Sequence, residues 1–165
     1  MPGKVQHEIN LMDDKPVKQS CRRVPPAQLD EFREAVKDRL EAGVIRESKS
    51  HCSSPVVLVR KKDKGQRICV DVGQLNRKTI KDAYPIPRIK EMLDALQGAK
   101  WFCTLDLQSR YLQVEMTEKD KEKIGMTTSF GLFEFNRMPF RLKNAPATFQ
   151  RLMERCLGGF NLKTC

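Results

Sequence analysis

The chain has 165 residues, enough for one domain with its own core. Its formal charge is +10 and its pI about 9.5, a balance that points to a polyanionic partner such as nucleic acid. A basic protein with no such partner is the plain alternative, which charge alone leaves open. No apolar run is long enough to span a bilayer and no signal-peptide pattern is present, so a soluble intracellular protein, in cytoplasm or nucleus, is expected.

The six cysteines, at 21, 52, 69, 103, 156 and 165, form no CxxC pair, and His7 and His51 complete no zinc pattern. A disulfide framework is not expected, which fits a reducing compartment. Cys69 and Cys103 sit in apolar, strand-like runs and are expected in the core.

Residues 1–24 are polar without a clear period and read as an extended lead-in arm, loosely ordered on its own. Pro25 and Pro26 open a helix in which Leu29, Phe32, Val36 and Leu40 recur at helical spacing; Gly43 stands where it should stop. A hairpin follows. Pro55–Val59 and Arg67–Val72 are its strands and Asp63-Lys64-Gly65 its turn. Arg60, Lys61, Lys62, Lys64 and Arg67 load the tip with positive charge, which makes it a candidate phosphate clamp. A lysine-rich surface turn is also ordinary.

Tyr84-Pro-Ile-Pro87 reads as an extended connector, because each proline disfavours helix in the residue before it. Ile89, Met92, Leu93 and Leu96 make a short amphipathic helix ending at Gly98. Trp101–Asp106 and Leu112–Met116 are expected strands, and Glu118–Lys123 a charged turn. Lys123–Thr128 and Leu132–Arg137 form a second hairpin around Ser129-Phe-Gly131. Asn144 caps a last helix with Pro146 near its first position. Phe149, Leu152, Met153, Cys156 and Leu157 are its apolar face, and Gly158-Gly159 ends it. The order predicts an α+β fold with a mostly antiparallel sheet and packed helices.

One carboxylate stands out. Asp106 closes the apolar run WFCTLD, and a rigidly placed aspartate is half of a two-metal site for nucleotidyl transfer. The Leu107 carbonyl could add an oxygen ligand. Taken alone, an aspartate after a strand more often caps a turn.

The surrounding motifs change that weighting. VVLVRKKDKGQRICVDVGQLN, IKDAYPIPRI, GAKWFCTLDLQSRYLQV and FEFNRMPFRLKNAPATFQRLM, in this order, resemble the reverse transcriptase of gypsy-type LTR retrotransposon Pol polyproteins. The likeness runs from about His7 to near the C-terminus. It implies a polymerase right hand cut short: the 1–24 arm, a fingers-like region over 25–98, and a partial palm over 99–165. It also implies an RNA-directed DNA polymerase, extending a primer 3′-OH with dNTPs on an RNA or DNA template, using Mg2+, within a polyprotein that carries ribonuclease H.

By the same resemblance, Asp106 is the first catalytic metal-binding aspartate and Leu107 supplies a carbonyl ligand. Tyr111 is the aromatic gate beneath the incoming sugar; a buried tyrosine is its plain alternative. Lys61 and Arg67 grip the triphosphate, Arg67 by forking across two oxygens. Phe140 lies near the nucleotide and Gln150 near template and primer, although packing roles for both are equally open.

Departures from the pattern matter too. Val72 replaces a tyrosine and Gly73 an arginine. Arg110 stands beside the expected gate where a small residue is usual, and Arg141 replaces the glycine after MPF. No tyrosine-x-Asp-Asp run follows the NAPATFQ helix. One carboxylate where the family uses three implies weak metal binding, and no polymerisation by these residues alone. A non-catalytic nucleic-acid-binding module and a decayed retroelement product are the alternatives. An exposed sheet edge, with marginal stability or self-association, is the expected structural consequence.

Overall fold

The computed structural model describes residues 5–60, 66–104 and 106–158; the side chains of Arg60, Gln66 and Arg67 also fall outside the described set. Its centre is a five-stranded sheet in the order β2-β7-β6-β3-β4. The strands are β2 (Ile45–Glu47), β3 (Ser54–Arg60), β4 (Gln66–Val70), β6 (Gly125–Thr128) and β7 (Gly131–Phe135). All neighbours run antiparallel except β3 and β6. The α+β expectation with a mostly antiparallel sheet is met.

Both expected hairpins form. In the first, Val56 lies opposite Val70 and Leu58 opposite Ile68, so the period of two puts one row of each strand into the core. The tip, 61–65 with Lys61, lies outside the described residues. In the second, Phe133 and Phe135 are buried while Glu134 faces the other way. There Arg46 Nε donates to Glu134 Oε1 at 2.6 Å and Ser48 Oγ to Oε2 at 2.7 Å. β6 approaches β3 closely enough that a Cβ on Gly125 would fall 1.9 Å from the Cys52 carbonyl oxygen.

The helices pack around this sheet. After a 3-10 turn at Pro26–Gln28, α1 (Leu29–Glu41) buries Phe32 and Val36. It stops at Gly43, whose φ of +65° suits a residue without Cβ. α2 (Gly73–Lys78) buries Leu75. α4 (Glu118–Lys121) and a 3-10 turn at Glu122–Ile124 replace the expected charged turn.

The lead-in arm is extended as expected, but it is not loose. β1 (Gln6–His7) pairs in parallel with β5 (Glu115–Met116), and His7, Ile9 and Val17 are buried. Asp120 and Lys123 hold both backbone groups of Ile9. The Ile9 N–H donates to Asp120 Oδ2 at 3.1 Å, and Lys123 Nζ donates to the Ile9 carbonyl at 2.8 Å. Burial raises the Asp120 pKa, but the bonds from Lys123, Thr117 and Ile9 outweigh it and hold the carboxyl below its ordinary value.

Three expectations fail wholly or in part. The described residues of the expected 101–106 strand, 101–104 and 106, form no strand; Trp101 is 93% exposed, and Phe102 and Cys103 are exposed with it. A strand needs a partner for its backbone groups, and among the described residues none pairs with this segment. α3 (Ile89–Ala95), just before it, likewise buries no residue. The Leu112–Met116 strand shrinks to β5. In α5 (Ala145–Cys156) the buried residues are Ala145, Ala147 and Thr148, while Cys156 and Leu157 of the expected apolar face are exposed. Among the described residues no helix is long and apolar enough to cross a membrane.

Candidate nucleotide and nucleic-acid site

Ser109, whose backbone is left-handed at φ +48°, leads into a 3-10 turn, Arg110–Gln113. That turn lifts Tyr111 into a cluster of rings. Its ring meets Phe140 edge-on at 5.6 Å and 83°, and Phe149 at 5.6 Å and 76°. The Arg110 guanidinium lies over the same ring, 5.2 Å from its centroid. The arginine that replaces a small residue therefore caps the tyrosine. Main-chain bonds fix this unit to the loop carrying Phe140: Met138 N–H donates to the Val114 carbonyl, and Met116 N–H to that of Asn136, both at 2.9 Å.

A cleft of about 230 Å3 opens beside the cluster. β4 supplies one wall with Ile68 and Val70; Leu112, Phe140 and Arg141 supply another. Arg141 adopts φ +71°, the left-handed conformation for which glycine is the usual choice. Asn76 holds that turn: its Nδ2 donates to the Arg141 carbonyl at 2.7 Å and its Oδ1 accepts from the Lys143 N–H at 2.9 Å.

The IKDAYP and NAPATFQ motifs meet on the other side. Arg151 donates twice to Asp82, at 2.6 and 2.9 Å, and its guanidinium lies 4.2 Å from the Tyr84 ring centroid. The Arg151 bonds hold the Asp82 carboxyl below its ordinary pKa. Tyr84 donates to Glu154. Asn144 sits at the expected N-cap position, yet its side chain makes no cap bond. Instead it accepts from Asp82 N–H at 3.0 Å and donates to the Ile80 carbonyl at 2.7 Å. Buried His7 shares a 2.8 Å hydrogen bond with Thr148, and burial pushes its pKa down to about 4.

Of the expected site residues, Tyr111 and Phe140 are brought together. Gln150 is half-buried on α5 and donates to Glu154 at 3.2 Å. Asp106 and Leu107 are exposed on the irregular segment before Ser109. Arg67 lies on β4 with its side chain outside the described residues, as is all of Lys61. Asn76, Asp82 and Arg151 are not singled out by the sequence. Each lies inside a recognised motif run, and that was their only signal.

Two hard cations need a shell of oxygen ligands, several of them carboxylates. Asp106 and the Leu107 carbonyl are the donors present. Among the described residues no group of three His, Cys, Asp or Glu side chains could hold a metal ion. The described residues alone do not fit a two-metal centre.

Residues 59–165 match the family model of reverse transcriptase (RNA-dependent DNA polymerase). The chain belongs to the reverse transcriptase family. It is 36% identical over 160 residues to the retrovirus-related Pol polyprotein from transposon 412 of Drosophila melanogaster, covering 93% of this chain and 13% of that one. To the Pol polyprotein from transposon gypsy of the same organism it is 38% identical over 155 residues, covering 90% and 15%. The chain thus spans a small part of these relatives. Its fold matches the prototype foamy virus protease-reverse transcriptase with a TM-score of 0.84 at 22% identity, covering 94% of this chain and 21% of that one. The foamy viral enzyme in complex with RNA/DNA hybrid matches at 0.83 and 20%, with the same coverage.

Proposed function

We propose that this reverse transcriptase segment handles template-primer and incoming nucleotide, as the fingers and part of the palm of an RNA-directed DNA polymerase. The reading is carried by one juxtaposition: Tyr111 packs edge-on against Phe140, and Phe140 lines a cleft with Ile68, Cys69 and Val70 of β4, a strand of the basic hairpin. Tyr111 is the sugar gate, Phe140 its neighbour at the nucleotide, and Lys61 and Arg67 the triphosphate contacts. Gln150 serves the template-primer side. The fold neighbour solved with an RNA/DNA hybrid supports a nucleic-acid partner.

We infer an arm over 1–24, fingers over 25–98 and a palm part within 99–165, from which β6 and β7 are taken out. β6 and β7 join the sheet of β2–β4, so they belong with the fingers. Mg2+ is the cation that carboxylate and carbonyl oxygens favour, and Asp106 with Leu107 would supply only part of its shell. These 165 residues alone therefore do not extend a primer.

Fluorescence anisotropy with a labelled RNA/DNA hybrid tests the reading. Binding should weaken steeply as salt rises, and the triple charge reversal K61E/K62E/R67E should reduce both affinity and salt slope. Salt-insensitive or absent binding would sink it; primer extension abolished by D106A would overturn only the statement that these residues alone do not extend a primer.

A further inference from the structure

The segment 88–110 lies on the surface throughout: every residue described in it is exposed. Much of it is apolar. Ile89, Met92, Leu93 and Leu96 recur at helical spacing along α3 and into its C-cap, and Trp101 and Phe102 follow. These six side chains expose on the order of 700 Å2, about half of it from the two aromatic rings. An apolar patch on a monomer seldom exceeds about 300–600 Å2, and a stable interface takes about 800 Å2 from each partner.

Charge selects the occupant. The chain carries +10, so two copies meeting over most of its surface repel each other. The exposed segment differs: Arg88, Lys90 and Lys100 are balanced by Glu91, Asp94 and Asp106. Among the described residues none of these six forms an ion pair. Lys90 and Asp94 stand one turn apart on the same flank of the apolar face. When two such helices dock antiparallel about a two-fold axis, each flank meets its own copy, and Lys90 of either chain comes opposite Asp94 of the other. A strongly acidic or strongly basic partner would leave one sign of charge opposed; a second copy matches both.

We propose that two copies of this chain associate through the apolar face of α3, with Trp101 and Phe102 covered in the contact. The association is independent of the nucleic-acid reading, which uses the basic hairpin and the Tyr111–Phe140 rings.

Sedimentation velocity of the full chain tests it, with reductant present because Cys103 lies on the same segment. A range of about 1–200 μM covers the weaker affinities of interfaces of this size. A monomer–dimer equilibrium is expected. Leu93→Asp sets a carboxylate in the apolar face twice per dimer and should weaken association by about a hundredfold. Lys90→Glu and Asp94→Lys should each weaken it by about tenfold, since each places like charges opposite one another in two places. The exchange of both, K90E/D94K, should restore association to the parent's strength. Circular dichroism should not change in any of these variants, because all three positions are exposed. Trp101 emission should match indole in water in the dilute monomer and shift blue as concentration rises. A chain that stays monomeric throughout the range overturns the proposal. So does a dimer indifferent to Leu93→Asp, or a double exchange that fails to restore it. A blue shift that does not depend on concentration places Trp101 within its own chain and overturns it as well.

Discussion

Asn76 clamps the backbone of Arg141. Its side-chain amide donates to the Arg141 carbonyl at 2.7 Å and accepts from Lys143 N–H at 2.9 Å, across 65 and 67 residues of sequence. The clamp holds arginine in the left-handed region, φ +71°, where a side chain costs about 1–3 kcal/mol. Replacing Arg141 by glycine should therefore stabilise the chain by about 1 kcal/mol, part of the relief being offset by the greater freedom of glycine when unfolded. Asn76→Ala should destabilise it by about 1–2 kcal/mol through the lost bonds. Urea melts of the single and double variants check both. A smaller penalty for Asn76→Ala in the Arg141→Gly background would show that the clamp holds the strained turn. An Arg141→Gly variant less stable than the parent would refute the strain.

His7 makes stability depend on pH. It is 1% exposed, and its pKa falls from 6.5 to about 4 because burial penalises the charged ring. Asp120 and Asp82 nearby work against that shift and Arg151 adds to it. Between the two values the unfolded chain binds the proton and the folded chain does not. Stability is then complete above pH 6.5 and declines as pH falls toward 4, by about 3 kcal/mol over the window. His7→Gln should flatten that part of the profile. Asp82 and Asp120 have folded pKa values below the ordinary 3.8, so their contributions disappear only at lower pH. Thermal melts at constant ionic strength from pH 7.5 to 2 separate the two ranges, and an unchanged slope between pH 6.5 and 4 in His7→Gln would count against this assignment.

The readable parts of this fold were local. α1 announced itself by its helical period between Pro26 and Gly43, and both hairpins by strand runs flanking turn residues. Arg141 was readable as a misfit because a glycine was expected there. Other features depend on partners distant in sequence. Asn144 looked like a helix cap, but its side chain reaches back to Ile80 and Asp82, 62 to 64 residues away. His7 carried no motif, and its burial follows from the pairing of β1 with β5. The Trp101–Asp106 run has the composition of a buried strand, yet composition says nothing about whether a neighbour is there to bond it.

Gly125 is a steric requirement. A Cβ at this position would stand 1.9 Å from the Cys52 carbonyl oxygen, far inside contact distance, and that oxygen is backbone. β6 could not stay beside β3 without moving. Gly125→Ala should cost about 3 kcal/mol or more, or prevent folding. Gly43→Ala has open space around the new methyl group, so only its positive φ is penalised, at about 1 kcal/mol. Comparing the two by circular dichroism and urea midpoint tests the difference. Equal effects would mean that the β3–β6 approach is looser than the geometry requires.

Trp101 is the chain's sole tryptophan and is 93% exposed, so its fluorescence reports one segment. Emission of the folded chain should resemble that of indole in water and should be fully open to acrylamide quenching. Urea unfolding followed by circular dichroism should then leave the emission wavelength nearly unchanged. Asp106 shares the exposed segment, so Asp106→Asn should alter stability by less than about 0.5 kcal/mol. A blue-shifted, quencher-resistant tryptophan whose emission moves red on unfolding would mean that Trp101–Asp106 is buried after all. The aspartate would then be held by packing, and Asp106→Asn should carry a measurable cost in the same melts.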